Sequence, residues 1–101
     1  MNNTKTTIFN DIIYIVGEQF GYTIKELTSY KKNGDISNIR HLIMYILREK
    51  YKFTFVEIAQ LLHRKDHSTV IYAVNKIGSQ LYVKDTVTTN YYNILKQGLR
   101  L

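Results

Sequence analysis

Cysteine and proline are both absent from this chain of 101 residues. Without cysteine there is no disulfide framework, no thiolate metal site and no thiol nucleophile. Proline-free chains whose apolar residues are spaced by threes and fours are usually all-helical. No apolar run approaches the ~18 residues of a membrane span, and the N-terminus lacks the layout of a signal peptide. We therefore expect a soluble, cytoplasmic domain that does not enter a membrane.

Acidic residues are also scarce. Eight Asp and Glu stand against fourteen Lys and Arg, which gives a formal charge of +6. The excess lies in residues 31–76, with nine basic and four acidic side chains. So small and basic a body favours a polyanion, such as nucleic acid, as partner. The length supports one compact domain over residues 1–101, and no repeat or low-complexity segment divides it.

The apolar spacing predicts an all-α fold of about six helices around one core. The clearest periodicity predicts a helix over 36–51, capped by Asp35 or Ser37. The positions expected to face inward follow an i, i+3, i+4, i+7, i+8 pattern: Ile39, Leu42, Ile43, Ile46 and Leu47.

The other helices are predicted mainly from their ends. Thr7 is expected to cap the first helix and Gly21 to end it. Capping boxes over 23–26 and 54–57 open the second and fourth helices, and Asp66 caps the fifth. The sixth helix, over 85–99, is expected to turn these side chains inward: Val87, Tyr91, Ile94 and Leu95.

Residues 54–82 have the outline of a helix-turn-helix, in which the second helix presents its first turn to the major groove of DNA. That turn reads Lys65-Asp66-His67-Ser68-Thr69, and the apolar face begins only at Val70. A carboxylate can accept from cytosine N4, hydroxyl groups pair with several base edges, and a threonine methyl can meet the thymine methyl. The alternative is an ordinary polar first turn, because any two helices can mimic this outline.

The stretch from Asp11 to about Leu81 resembles the C-terminal DNA-binding domain of the bacterial replication initiator DnaA. The segment 65–70 is similar to that family's Arg-Asp-His-Thr/Ser-Thr-Val signature. Upstream, residues 55–59 resemble its Leu-x-Glu-Ile-Gly, and residues 40–47 its Arg-Gln-x-Ala-Met-x-Leu helix. The resemblance covers about 70 residues without an obvious gap.

The resemblance implies a Trp-repressor-like domain that reads an A·T-rich DnaA-type box in double-stranded DNA. The base contacts that it implies are Asp66, His67, Ser68 and Thr69. It also implies phosphate contacts at Lys65 and Lys76. Charge and position add four candidates for the DNA backbone: Arg40, Arg48, Lys50 and Arg64.

Two positions depart from the family pattern. The family places an arginine from the loop before the third helix in the minor groove, and Asn38 occupies that position here, two residues before Arg40. A weaker grip is expected, because asparagine lacks the charge and reach that a narrow A·T groove favours. His63 and Arg64 replace the family's paired glycines, so we expect a turn of altered geometry, since only glycine takes a positive φ freely.

The initiator itself oligomerises through an ATPase domain, and no phosphate-binding Gly-x-x-x-x-Gly-Lys-Ser/Thr occurs in this chain. We therefore expect a stand-alone reader without the motor. It would regulate or compete in replication initiation or transcription, with a mobile element as a credible home. The expected partners are double-stranded DNA and, beyond it, replication proteins or a second copy, with no cofactor.

Other functions are weaker interpretations of the same residues. His63 and His67 have helical metal-ligand spacing, but a turn separates them, and no catalytic triad or other enzyme site is evident. Nine tyrosines could stack on single-stranded bases, but most lie beside apolar faces. The second hypothesis is a protein-interaction adaptor that keeps the fold without specific DNA binding, which Asn38 and the missing glycines favour.

Overall fold

The computed structural model describes residues 3–101, and this part of the chain is helical with no strand. The all-α prediction is confirmed. The six helices are α1 (Asn3–Phe20), α2 (Ile24–Thr28), α3 (Gly34–Glu49), α4 (Phe55–Leu61), α5 (Ser68–Tyr82) and α6 (Thr86–Leu99). None of these helices is both long and apolar enough to cross a membrane.

Helix α3 is the centre of the domain, because it contacts each of the other five helices. The five predicted inward positions of α3 are all fully buried, which confirms the periodicity. Apolar residues from α1, α4 and α5 complete a single core, together with Phe53 from the loop before α4. Burial of this continuous apolar surface is the main force that holds the short helices together.

Helix ends that depend on local chemistry form as the sequence predicts. Thr23 and Glu26 make a reciprocal capping box at α2, and Thr54 and Glu57 make another at α4. Gly21 has a φ of 77°, and its N–H donates to the carbonyl of Gly17 at 3.1 Å, so it ends α1 in the left-handed conformation.

The predicted starts of α1 and α3 are wrong. Helix α1 already includes residues 3–7, so Thr7 is not its cap. Helix α3 begins at Gly34 because the side chain of Asn33 accepts from the N–H of Ile36 at 3.1 Å. Asp35 therefore lies in the first turn, where a negative charge favours the helix dipole.

The inward face of α6 is also displaced from the prediction. Val87 is 47% exposed and Ile94 is 36% exposed, whereas Thr88, which is not predicted to face inward, is buried. Leu95 is buried as predicted. The Thr88 hydroxyl can be buried because it donates to the side-chain oxygen of Gln80 at 2.9 Å. Tyr91 is half-buried as expected and packs edge-on against Phe20.

Candidate nucleic-acid interface

Helices α4 and α5 pack together, and residues 62–67 connect them. The N–H of His63 donates to Gln60 O at 3.2 Å, and the N–H of Arg64 donates to Ala59 O at 2.8 Å. Leu62 fills the core beneath the turn. These contacts fix the direction in which the chain enters α5.

His63 takes a φ of 56°, so this turn contains a left-handed residue although no glycine supplies it. Left-handed geometry costs a non-glycine residue about 1–2 kcal/mol. We predict that His63→Gly raises the free energy of unfolding by about 1 kcal/mol, after the entropy cost of glycine, as measured by urea denaturation. Lys50→Gly is the matched control, because Lys50 ends α3 with a φ of −95°, and it should lower the stability. An equal effect of both glycines would contradict the strain at His63.

The N-cap of α5 lies one residue after Asp66, the residue predicted for that position. His67 occupies the N-cap position and makes no side-chain capping bond. Asp66 still accepts from the N–H of Ser68 at 2.9 Å, and the Thr69 hydroxyl donates to the carbonyl of Asp66 at 2.9 Å. Hydrogen bonds from Ser68 hold the pKa of Asp66 below its ordinary value, so this carboxylate is charged at neutral pH and remains an acceptor.

All five residues of the segment 65–69 are exposed, and the next residue, Val70, is fully buried. The side chains of Asp66 and His67 are 67% and 53% exposed. Farther along α5, the exposed Tyr72 and half-buried Lys76 follow Thr69 at i+3 and i+7. One face of α5 is therefore polar from its first turn to its third.

A cavity of about 430 Å³ adjoins this face, between α5, α3 and the turn after α2. We call it the basic cleft. Thr69 and Tyr72 line it from α5, and the cations Lys32, Arg40 and Arg64 line it from the other elements. Among the described residues that line the cleft there is no carboxylate, so its field favours an anion.

Arg40 belongs to the frame of this cleft, and its assignment as a DNA backbone contact needs correction. It is only 4% exposed. Its guanidinium donates to three backbone carbonyls, those of Leu27 at 2.8 Å, Lys31 at 3.1 Å and Glu26 at 3.3 Å. Burial, and then the charge of Arg64, lower the pKa of Arg40. Its donors hold the turn after α2 in place.

Arg48 and Asn38 lie in α3, as the predicted helix requires, but their surroundings do not favour the DNA contacts expected of them. Arg48 is half-buried, donates to Phe53 O at 3.1 Å and lies with its guanidinium carbon 4.3 Å from the centre of the Phe55 ring. Asn38 is half-buried inside α3 and not in the loop before it. That loop instead carries two exposed cations, Lys31 and Lys32.

Three other candidates for phosphate contacts are at least partly exposed to solvent. Lys50 and Lys65 are exposed, and Lys76 is half-buried beside His41. Three further residues of the cleft are not indicated by the sequence pattern: Tyr30, His41 and Tyr72. The i+3 spacing from Thr69 could have revealed Tyr72, whereas the other two are brought to the cleft only by tertiary packing.

His41 is the floor of the cleft and packs edge-on against Tyr72. Its Nδ1 is buried without a hydrogen-bond partner. Burial, followed by the charges of Lys76, Arg40 and Arg64, lowers the pKa of His41 to about 4. Because its pKa lies well below 7, the imidazole of His41 is neutral at pH 7.

The pKa of His41 predicts an acid-dependent loss of stability. Between pH 6.5 and about 4, the unfolded chain binds a proton at His41 that the folded chain does not bind. The melting temperature should therefore fall from pH 7 to pH 5, and His41→Gln should reduce that fall. His67→Gln, at an exposed position, is the control. A fall that persists unchanged in His41→Gln would contradict the buried neutral state.

The segment that carries this geometry matches a known family. The sequence model described as the bacterial DnaA protein helix-turn-helix matches residues 9–77. Among curated proteins, the chain is similar to chromosomal replication initiator proteins DnaA. The protein of Chloroflexus aggregans is 33% identical over 70 residues, which are 69% of this chain and 15% of that protein.

Two further relatives carry the same name. The protein of Lachnoclostridium phytofermentans is 29% identical over 94 residues, 93% of this chain and 20% of the relative. That of Thermus thermophilus is 37% identical over 67 residues, 66% of this chain and 15% of the relative. The chain thus spans a fifth or less of the length of these relatives. With its six helices and its α4–α5 unit, the chain belongs to the family of bacterial DnaA helix-turn-helix domains.

Proposed function

We propose that this chain binds double-stranded DNA sequence-specifically, at an A·T-rich site like a DnaA box. The observation that carries the proposal is the exposed polar segment 65–69, whose Thr69 lines the same cleft as the exposed Lys32. A helix start with exposed polar side chains suits base edges, and exposed lysines suit the phosphates that flank them. Membership of the family supports the same function.

The roles divide by exposure. Asp66, His67, Ser68 and Thr69 would meet base edges in the major groove. Lys65, Lys76 and Lys50 would hold phosphates. The exposed Lys31 and Lys32 take over the role first given to Asn38 and would lie along the backbone or in the minor groove.

The 101 residues hold no phosphate-binding loop for ATP, so the proposed activity of this segment is binding alone. Occupying a box would keep other proteins from it, and this would regulate or compete in replication initiation or transcription. Such a role places the chain with the DNA of a bacterium or of a mobile element. Replication proteins and a second copy of the chain are candidate partners.

Fluorescence anisotropy with two labelled duplexes tests the proposal. One duplex carries a DnaA box, and the other has the same base composition in scrambled order. We expect tighter binding of the box, with a ratio that persists as salt rises, because base contacts depend less on counterion release than phosphate contacts do. Equal affinities with one steep salt slope would reject specific reading.

Absence of binding to either duplex would favour the adaptor hypothesis. The observation in its favour is an apolar surface at the end of α5, where Tyr82 is 88% and Val83 is 70% exposed. Surfaces of this kind mark contacts with other proteins when they form a continuous patch.

A further inference from the structure

Two segments of the proposed interface are far apart in sequence but joined in the fold. The basic turn, residues 29–33, precedes α3, and the turn of residues 62–67 precedes α5. The Arg64 Nη2 donates to the carbonyl of Ser29 at 2.8 Å, and the Arg64 guanidinium carbon lies 5.0 Å from the centre of the Tyr30 ring. In return, the Tyr30 hydroxyl lies 3.5 Å from the carbonyl of His63. We call the pair Arg64 and Tyr30 the clasp.

Backbone carbonyls in and just before the basic turn are bound by two arginines. Arg40 binds three of the carbonyls in the stretch 26–31, and Arg64 binds that of Ser29. Lys31 and Lys32 are exposed on the same turn. Holding the backbone from the inside therefore directs these two cations to the surface, next to the start of α5.

Arg64 itself is poorly placed to bind a phosphate. It is half-buried, Nη2 is bonded to Ser29, and Nη1 is buried without a partner. One face of its guanidinium is covered by Tyr30. The neighbouring Lys65, by contrast, is exposed and has the reach of an ordinary phosphate contact.

We propose that Arg64 and Tyr30 are positioning residues, which set the distance between the basic turn and the recognition segment 65–69 without touching DNA. This proposal rests on the proposed function. A protein that reads DNA with two segments discriminates best when their spacing is fixed before binding, because less freedom is then lost on binding. The family pattern has a glycine at the position of Arg64. Here the arginine side chain joins the turn of residues 62–67 to the basic turn through specific contacts.

The test separates the charge of Arg64 from its geometry. Arg64→Lys keeps the charge but loses the planar group that stacks on Tyr30 while it donates to Ser29. We expect Arg64→Lys and Tyr30→Ala each to lower the box-to-scrambled affinity ratio by about tenfold, the size of one lost base contact, with an unchanged salt slope. Lys65→Ala is the matched control and should lower the affinity for both duplexes and reduce the salt slope by about 1. A reduced slope in Arg64→Ala, with a wild-type ratio in Arg64→Lys, would overturn the proposal and make Arg64 a phosphate contact.

Amide hydrogen exchange in the free protein distinguishes failure of the clasp from failure of the proposed function. If the clasp joins the two turns, Arg64→Lys and Tyr30→Ala should speed exchange in residues 29–33 and in residues 62–67 alike. Tyr30→Phe keeps the ring and should change little. Exchange that changes only at the mutated turn would reject the clasp, whether or not the wild-type protein binds DNA. Coupled exchange without DNA binding by the wild type would reject the proposed function and, with it, the positioning role.

Discussion

Replacing Arg40 by alanine is expected to lower the free energy of unfolding by about 3 kcal/mol or more, a large part of the 5–15 kcal/mol typical of a domain. The substitution removes a buried guanidinium and the donors that it gives to the carbonyls of Glu26, Leu27 and Lys31. It also leaves a cavity beneath the turn after α2. Urea denaturation followed by circular dichroism measures this loss.

Two further variants identify the cause of the loss of stability expected for Arg40→Ala. Lys32→Ala removes an exposed cation from the same turn and should change stability by no more than about 0.5 kcal/mol. Arg40→Lys keeps the charge, but all its donors sit on one nitrogen and cannot reproduce the bonds of Nε, Nη1 and Nη2, so its stability should fall between those of the wild type and Arg40→Ala. If Arg40→Ala were as stable as the wild type and only weakened binding of every duplex, Arg40 would be a phosphate contact after all.

The position of Arg40 shows what the sequence could have predicted. Arg40 follows Ile36 at i+4 and precedes Ile43 by three residues, so helical spacing alone places it on the inward face of α3. The charge of Arg40 favours an assignment to DNA, although the apolar pattern around it indicates burial. The spacing does not reveal the partners, because two of the three carbonyls lie in α2 and the third in the turn after it, and they reach Arg40 only through tertiary packing.

Local signals were reliable where both partners lie within one turn. The two capping boxes and Gly21 are of this kind. The prediction of the inward face of α6 was wrong in part, because the apolar residues of this helix are few and packing against other helices decides which of them are buried. Thr88 is buried in place of Val87, and its burial is tolerated because its hydroxyl donates a hydrogen bond to the side-chain oxygen of Gln80 in α5.

Most of the basic residues considered as DNA contacts fall into two groups once their surroundings are known. Arg40, Arg48 and Arg64 bind backbone carbonyls of the domain itself, and Arg48 and Arg64 also lie over aromatic rings. Lysines such as Lys32, Lys50 and Lys65 remain exposed. The difference follows from chemistry, because a planar guanidinium satisfies several acceptors and stacks on a ring, whereas an ammonium is strongly hydrated and stays at the surface. The exposed lysines are thus the cations that we propose as phosphate contacts.

His67 and Thr69 are the residues whose loss should affect DNA reading most. His67 is exposed at the N-cap position and makes no capping bond, so His67→Ala should leave the helix intact. Each lost base contact is worth about 1–3 kcal/mol, so we expect a roughly 5- to 150-fold loss of preference for the box duplex over the scrambled one. Anisotropy titrations at two salt concentrations measure the ratio.

Thr69 requires a more careful substitution, because its hydroxyl donates to the carbonyl of Asp66. Thr69→Ser keeps that bond and removes only the methyl group, so a lower preference for the box in this variant would assign the methyl to a thymine contact. Asn75→Ala is the control, because Asn75 is exposed on α5 but lies six residues after Thr69, outside the segment 65–69. If His67→Ala and Thr69→Ser both discriminated the two duplexes as well as Asn75→Ala does, the first turn of α5 would be a solvated helix start. Base reading would then have to be sought elsewhere on the domain.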